Sequence, residues 1–254
     1  MLGIRKQMNK QEKQFTHELE IFRTEAEAGA QFLYANLSLH SIISEKKKTL
    51  KIINRTPLFW NTTLAALQTS FFIVLGRIFD QKSKHNIYRL LKSAQDNINI
   101  FSKAALANRK RKDSDNADEW LDDYLKTVHE PTIKDFRDLR KKVKEYRKIY
   151  ESNYQDIRNK IFAHKAVSDP EEVQALFSKA NIKELQKVFV FVNAFYRALW
   201  QLFNNGKKPV LRKMRYSVES MKRDRKPEWQ SQTVQEQMVA EVKVFLKELT
   251  SNSQ

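Results

Sequence analysis

The sequence predicts an all-α protein, and three observations point to that class. Only 4 Gly and 5 Pro occur in 254 residues, so the chain has little material for turns. Residues that favour helices, chiefly Lys, Glu, Leu, Gln and Ala, are abundant. Helix caps can be recognised at several positions. Because 41% of the residues are hydrophobic, we expect a globular, all-helical fold with a sizeable core and few connections.

The first half of the chain predicts three helical regions. The first runs from about Lys10 to Ile53, with a bend expected near Gly29. Thr56 then provides an N-cap, and Pro57 takes the first position of a very apolar helix that we expect to be central, "LFWNTTLAALQTSFFIVLGRIFD". The third covers about Lys84 to Lys110. Beyond it, the change from basic to acidic residues in "RKRKDSDNADEWLDD" predicts a loop with a short helical turn.

Capping signals divide the second half of the chain. The pattern is continuously helical from Thr132 to about Lys165. Asp169 then begins a capping box, with Pro at the first helical position and Glu at the third, so the preceding helix must end just before it. Asn181 and Glu184 form a second capping box, and the apolar helix that follows stops at Gly206.

Beyond residue 206 the chain changes character. Residues 206–226 hold nine Lys or Arg and two acidic residues and lack a strong helical stripe, which predicts a basic arm. Thr233 and Glu236 cap a last amphipathic helix that reaches about Leu249. No internal repeat or clear linker is found, so we expect one compact domain. Its parts are an N-terminal helical region, a central helical segment and the arm with its C-terminal helix, over residues 1–56, 57–205 and 206–254.

The net charge of +17 narrows the classes of partner. Such an excess of Lys and Arg favours polyanions, meaning nucleic acid or an anionic membrane surface. A basic helical scaffold with charged solvent faces is the alternative. The absence of cysteine removes disulfides and thiol nucleophiles, and it fits a cytoplasmic protein. We expect no membrane span, because the longest apolar-rich stretch, "VFVFVNAFYRALWQLF", is short and is interrupted by polar residues.

Metal and nucleotide sites of familiar types are not predicted. The five histidines show no metal-ligand spacing, and no cysteine is present to complete a site. Asp113, Asp115 and Asp118 resemble the start of a calcium loop, but its twelfth position, which needs a bidentate Glu, is Tyr124. Four scattered glycines cannot build a phosphate-binding loop. We therefore expect neither a metal nor a cofactor.

The stretch "RNKIFAH", residues 158–164, places polar residues beside an apolar helix face. On a 3.6-residue period, that face consists of Tyr150, Tyr154, Ile157, Ile161 and His164. Arg158 borders this stripe, and a long cation and an imidazole there are costly unless they are hydrogen-bonded or face a wet cleft. Packing alone allows another interpretation, in which Arg158 is a surface charge and His164 is a core imidazole bonded to a carbonyl.

An arginine followed after five residues by a histidine, near a helix end, is similar to the R-x4-6-H motif of the HEPN superfamily. The local sequence "YQDIRNKIFAHK" and the upstream apolar helix ending in "LGRIFD" most resemble the abortive-infection (AbiU-like) branch of this superfamily, over roughly residues 57–205. The resemblance implies a helical bundle that dimerises and, in active members, a metal-independent endoribonuclease. By position it assigns the catalytic arginine to Arg158, the adjacent polar residue to Asn159 and the histidine to His164.

The chemistry of RNA cleavage suits these residue types. RNA carries its own nucleophile, the 2′-OH, so a site needs a base for that proton, an acid for the 5′-oxygen and positive charge on the phosphorane. Imidazole titrates near neutrality and can act as base or acid. Arginine presents a planar fork of donors to phosphate oxygens. Asn159 could hold either side chain or contact the phosphate. The expected products are 2′,3′-cyclic phosphate and 5′-OH ends.

Helix geometry adds a constraint on this site. Six residues at about 100° and about 1.5 Å each place Arg158 and His164 about 120° apart and about 9 Å along the axis. One straight helix therefore does not direct both side chains at one atom, and convergence needs flexible reach, an early helix end or a second copy. A twofold homodimer would bring two of each residue into one cleft. We expect the helix from Tyr150 to His164, with its apolar stripe, to form part of the dimer interface.

Other residues are candidates for supporting roles. Asp80 could orient Arg158 or His164, pair with Arg77, or cap the next segment; Arg77 is the other orienting candidate. The segment "RKKVKEYRK" and the basic arm are expected to bind RNA. These RNA-binding candidates are Lys141, Lys142, Lys144, Arg147, Lys207, Lys208, Arg212, Lys213 and Arg215.

The sequence is compatible with three functions. The first is a HEPN-type ribonuclease with an antiphage or toxin-like role, for which an antitoxin or another regulatory protein is an expected class of partner. The second is a catalytically silent HEPN module that binds RNA or a partner protein. The third is a basic helical scaffold without a site, or one that lies on an anionic membrane.

Overall fold

The computed structural model describes residues 8–164, 166, 169–223 and 233–251. Within these residues the chain is predominantly helical and contains no β-strand, which confirms the predicted all-α class. The helices are α1 Lys10–Glu45, α2 Lys47–Ile53, α3 Pro57–Phe79, α4 Ile87–Asp96, α5 Lys103–Asp113, α6 Leu121–Lys126, α7 Ile133–Asn153, α8 Gln155–Ile157, α9 Pro170–Phe177, α10 Ile182–Asn205, α11 Val218–Lys222 and α12 Val234–Ser251. Two 3₁₀ turns lie at Ile98–Phe101 and Ala117–Glu119, and a π-helical segment lies at Arg158–Ala163.

Local hydrogen bonds at the helix ends confirm several predicted boundaries. The Asp169 side chain accepts hydrogen bonds from two backbone N–H groups at the start of α9. Asn181 caps α10 in the same way, and Gly206 ends that helix with a φ of 55°. Thr233 and Glu236 form a reciprocal capping box at the start of α12. Each of these boundaries is set by chemistry within a few residues.

Two predicted helices are interrupted where the sequence pattern appears continuous. The first region breaks at Lys46, whose backbone is extended, whereas Gly29 lies inside α1 and causes no break. The helix predicted from Lys84 to Lys110 is two helices, because Asn86 and Ser102 accept hydrogen bonds from backbone N–H groups and so start α4 and α5. Short polar side chains of this kind compete with the helix for backbone groups.

The chain divides into two compact units. The first comprises the described residues up to Thr24 together with Ile78–Lys148 and Phe191–Lys213. Its core contains a group of aromatic rings, in which Phe15 contacts Phe101 and Phe203 at centroid distances of 5.1 and 5.2 Å. Rings packed edge-on or tilted in this way are a favourable arrangement for the interior of a helical fold.

A buried ion pair also stabilises the first unit. Arg109 Nη1 donates to Glu12 Oε1 at 2.6 Å and to the carbonyl oxygen of Ile100 at 2.8 Å, while Nη2 donates to the carbonyl oxygen of Phe203 at 2.7 Å. Burial lowers the pKa of Arg109, and the hydrogen bond and charge of Glu12 oppose that shift. The carbonyl contacts supply partners that a buried guanidinium needs.

The second unit comprises the described residues of Glu25–Arg77, Ile149–Val190 and Met214–Gln254. Leu39 of α1, Trp60 of α3 and Leu246 of α12 belong to one of its buried apolar clusters. Gly29 of α1 lies against the Phe189 ring, since a Cβ added there would lie 2.3 Å from a ring carbon. This glycine therefore permits close packing, which is a different role from the predicted bend.

The sequence predicted that α3 would lie at the centre of the fold, but only its second half is buried. Phe71, Phe72 and Leu75 are buried, whereas Leu58 and Phe59 are 81% and 62% exposed. A groove of about 560 Å³ lies along this exposed apolar face. Among the described residues, α3 alone is long and apolar enough to cross a bilayer by length and composition, and the burial of its second half is typical of a core helix.

Candidate active site

Arg158 and Asn159 begin a π-helical segment, and His164 directly follows its last residue. α7 ends at Asn153, and α8 with the π segment replaces the single helix predicted to reach Lys165. The backbone N–H of His164 donates to the carbonyl oxygen of Asn159, five residues earlier, at 3.1 Å. Such turns are rare and are frequently found at functional sites. Because a π turn contains more residues than an α turn, the 3.6-residue period does not apply beyond Ile157.

The apolar stripe consequently ends before the histidine. Tyr150, Tyr154 and Ile157 are at most 1% exposed, so they pack within the chain. These three side chains are therefore not available to a partner chain, and a role of this helix in a dimer interface stays a prediction. His164 is solvent-exposed, and its imidazole makes no hydrogen bond to the part of the chain that the structure describes. It is therefore not the core imidazole that packing alone allowed.

Arg158 lies against α3 at a glycine. A Cβ added to Gly76 would lie 2.6 Å from Arg158 Nε, 3.1 Å from Cζ and 3.2 Å from Cδ. The Nε atom is buried at this contact. One helical turn earlier on α3, the Phe72 ring stacks on Phe162, with centroids 4.9 Å apart and planes at 18°. These two neighbouring contacts hold the π segment on α3 and fix the stem of the arginine.

Asn159 connects the arginine with the histidine. Its Oδ1 accepts a hydrogen bond from Arg158 Nη1 at 2.7 Å. Its backbone carbonyl accepts the π-type bond from the His164 N–H. The sequence allowed Asn159 to hold Arg158 or His164, or to contact the phosphate. In the structure its side chain is bonded to Arg158. The guanidinium is thus held by two neighbours, while the imidazole is fixed only through its backbone.

Tyr154 anchors the start of this segment. Its carbonyl oxygen accepts from the Arg158 N–H at 2.9 Å, and its hydroxyl donates to the carbonyl oxygen of Asn181 at 2.7 Å. Burial raises the pKa of Tyr154 to about 12, so the hydroxyl stays protonated and continues to donate at neutral pH. The turn that carries Arg158 is therefore tied to the cap of α10.

The two orienting candidates have identifiable neighbours of their own. Asp80 Oδ1 accepts from the backbone N–H of Lys82 at 3.2 Å, so this carboxylate caps the turn after α3. Arg77 Nη1 lies 3.3 Å from Glu25 Oε1, and the Arg77 side chain is 56% exposed. A role for either residue in orienting the catalytic pair stays a prediction.

The predicted RNA-binding residues lie mostly at the surface. Eight of the nine are exposed, and the exception, Arg147, places its guanidinium 5.2 Å from the centre of the Tyr88 ring. Residues 206–217 contain no helix, as predicted for the arm, and α11 follows. Residues 224–226 of the predicted arm lie outside the described residues. Contact of these side chains with RNA stays a prediction.

The family model HEPN_AbiU2, described as AbiU2, matches residues 12–224. The chain belongs to the AbiU2 family of HEPN proteins. The match begins in α1 and extends into the arm, so it is longer than the residues 57–205 that carried the sequence resemblance. No curated protein and no solved structure matched this AbiU2-family chain.

Sequence reasoning did not identify Gly76 as part of the site. Gly76 could have been noticed because it lies inside a very apolar helix of a chain that has only 4 glycines. A glycine inside a helix often marks the close approach of another group. The approaching group could not be named, because the contact joins residues 76 and 158 across the fold. Tyr154 was assigned to the apolar stripe alone, and nothing in its periodicity indicates the hydrogen bond to Asn181.

Proposed function

We propose that this AbiU2-family chain is a metal-independent endoribonuclease that uses Arg158, Asn159 and His164. The observation that carries the proposal is the difference between two side chains in one segment. The Arg158 guanidinium is seated against Gly76 and bonded to Asn159, whereas the His164 imidazole is exposed and makes no hydrogen bond within the described residues. A fixed cation for the phosphate and an available imidazole for proton transfer are what cleavage by the 2′-OH requires.

The reaction follows from these roles. His164 removes the proton of the 2′-OH, and the 2′-oxygen attacks the adjacent phosphorus. Arg158 donates hydrogen bonds to the non-bridging oxygens as negative charge increases in the phosphorane. The bond to the 5′-oxygen then breaks, and that oxygen takes a proton from a general acid. The products carry a 2′,3′-cyclic phosphate and a 5′-OH, and the sum of protons is unchanged.

A homodimer would supply the acid that one chain lacks. Each chain contributes one histidine to the proposed site, and a twofold partner would contribute a second. The exposed apolar face of α3, which carries Leu58 and Phe59, is a candidate for the interface between copies. The same helix carries Gly76, so contact through α3 would involve the element against which Arg158 lies.

The proposed cellular role follows from family membership. Abortive-infection proteins limit phage growth, and an RNA-cleaving member would act in the cytoplasm as a toxin. Uncontrolled cleavage would harm the host cell, so we include an antitoxin or another regulatory protein among the proposed partners. The exposed bases of α7 and the arm would supply affinity for RNA through its phosphates.

Rates and stability measured on the same variants test the proposal. His164→Ala should lower the single-turnover rate by ~10²–10⁴, and Arg158→Ala by ~10²–10³. His17→Ala and Arg197→Ala are matched controls, because both residues are exposed. His164→Ala should leave the thermal midpoint nearly unchanged, since the ring makes no hydrogen bond within the described residues. RNA binding without cleavage by any form would instead favour the silent HEPN module.

A further inference from the structure

The second unit contains a cavity that the proposed catalytic residues do not use. Its volume is about 740 Å³, which lies within the range typical of small-ligand sites. Leu37 and His40 of α1, Ile182 and Gln186 of α10, and the segment 216–219 contribute to its wall. The wall therefore combines apolar side chains with several polar and charged ones.

Gln186 is the most informative residue of this cavity. It is only 6% exposed, and its side-chain amide makes no hydrogen bond within the described residues. Its amide atoms are not among the fully buried polar atoms of the described residues that lack a hydrogen-bond partner, so what points to a ligand is the position of the amide in the cavity wall. Nearby polar residues of the same helix are partnered, since Glu184 accepts a hydrogen bond from Asn153 at 2.9 Å. The Gln186 amide offers one donor group and one acceptor to whatever occupies the cavity.

Tyr216 provides an aromatic wall in the same cavity. Its ring is half-buried, and its backbone carbonyl accepts a hydrogen bond from the Tyr34 hydroxyl at 2.8 Å, which fixes this part of the chain. Lys187 Nζ lies 5.6 Å from the centre of the ring. An aromatic ring and an amide with adjacent donor and acceptor in one cavity match a flat heterocycle that carries hydrogen-bonding groups on its edge.

The charged groups at the rim fit a nucleotide. The N-terminus of α10 is already capped by Asn181, so its first N–H groups are occupied and cannot hold an anion. Lys183 and His40 are exposed at the rim and could approach a phosphate. Glu219, held by Ser41 and Lys222, is an acceptor suited to a sugar hydroxyl.

The cavity is also connected to the proposed catalytic segment. The Tyr154 hydroxyl donates to the carbonyl oxygen of Asn181, which directly precedes Ile182 in the cavity wall. The carbonyl oxygen of Tyr154 accepts from the backbone N–H of Arg158. A single buried residue therefore joins the wall of the cavity to the first turn of the π segment.

We infer that this cavity binds a nucleobase, with Gln186 bonded to the edge of the base and Tyr216 in contact with its face. Where the base belongs to the substrate RNA, the inference rests on the proposed function, and the contact gives cleavage a base preference. The alternative source of the base is a free nucleotide, which presents the same chemistry to the cavity. Gln186 would then be a specificity-determining residue, separate from the catalytic pair.

Binding measurements at one fixed salt concentration test this inference independently of cleavage. The probes are 2′-O-methyl octamers of A, C or U, which cannot be cleaved by the 2′-oxygen, and the four ribonucleoside monophosphates. The wild-type protein should prefer one base by about tenfold in Kd, the discrimination that one bidentate amide contact typically provides. Gln186→Met should reduce the preference to within about twofold and change the thermal midpoint little, since methionine has nearly the same length and volume as glutamine.

Two further variants separate the base contacts from general effects. Tyr216→Leu should weaken binding of the preferred octamer by about tenfold through lost stacking. Gln68→Met, a matched change at a half-buried glutamine of α3 outside the cavity, should alter neither preference nor affinity. His164→Ala should keep the base preference, because the histidine lies outside the cavity.

The outcomes distinguish the two proposals. Equal binding of all three octamers without monophosphate binding, or a preference unchanged in Gln186→Met, would overturn the nucleobase site, whether or not the protein cleaves RNA. Base-selective binding that depends on Gln186, in a protein that never cleaves RNA, would support the site and refute the ribonuclease. Selective binding of a monophosphate that depends on Gln186, with no preference among octamers, would identify a free nucleotide as the ligand.

Discussion

Gly76→Ala should slow the proposed RNA cleavage without unfolding the protein. The new Cβ would lie 2.6 Å from Arg158 Nε, whereas nonbonded heavy atoms normally stay about 3.5 Å apart or more. The guanidinium must therefore retreat by about 1 Å from its position over α3. A misplacement of this size costs about 10²-fold in rate when the displaced group stabilises the transition state.

The thermal stability of the Gly76→Ala variant should differ little from that of the wild-type protein. Alanine is more favourable than glycine inside a helix by about 0.5–1 kcal/mol, and this gain offsets part of the strain at Arg158. We therefore expect a thermal midpoint within a few degrees of the wild-type value. Ala65→Gly, on the exposed side of the same helix, is the matched control: it should lower stability modestly and leave the rate unchanged.

The assay is single-turnover cleavage of a labelled RNA, with the thermal midpoint measured on the same samples. A double-mutant cycle with Arg158→Ala adds a direct test of the contact, because alanine removes the Cδ, Nε and Cζ atoms that the new Cβ would approach. In the Arg158→Ala background, Gly76→Ala should have little further effect. A wild-type rate in the Gly76→Ala variant, or fully additive losses in the double variant, would refute the positioning role of Gly76.

Three other predictions concern stability, RNA affinity and assembly. Arg109→Met should destabilise the protein by ~3–5 kcal/mol in urea unfolding, because the buried Glu12 carboxyl then loses its guanidinium partner. The double variant with Glu12→Met should recover most of the loss, and equal losses in both variants would contradict the argument. Changing Arg212 and Lys213 together to Gln should lower RNA affinity and reduce the salt slope by roughly one unit per lost phosphate contact; an unchanged slope would assign the arm another role. Leu58→Asp should convert a homodimer to a monomer in sedimentation analysis, since the residue is 81% exposed on an apolar face, and a variant that stays dimeric would place the interface elsewhere.

Helix boundaries set by local chemistry could be predicted from the sequence. Asp169, Asn181 and Gly206 mark helix ends through hydrogen bonds or backbone angles that involve only their close neighbours in the chain. The break at Lys46 could not be predicted, because that residue has no turn preference and its side chain makes no capping bond. Breaks of this kind depend on packing with residues distant in sequence.

The residue types of the site could be predicted, but their surroundings could not. A periodic pattern assumes that one helical period continues, so it placed His164 on the buried face, whereas the π segment shifts it into solvent. The π segment is held by Phe72 and by Gly76, which lie 90 and 82 residues before their contacts Phe162 and Arg158. Contacts between residues so far apart in the sequence do not alter the local hydrophobic pattern, so the pattern cannot predict them.

The most direct test of the central claim is the chemistry of the cut. Purified protein in excess EDTA should cleave single-stranded RNA and leave 2′,3′-cyclic phosphate and 5′-OH ends, identified by mass spectrometry. An otherwise identical substrate with hydrogen in place of the 2′-OH at the cleaved position should stay intact there, because the nucleophile is missing. Cleavage that EDTA abolishes, or cleavage of the 2′-deoxy position at an undiminished rate, would contradict the roles assigned to Arg158 and His164.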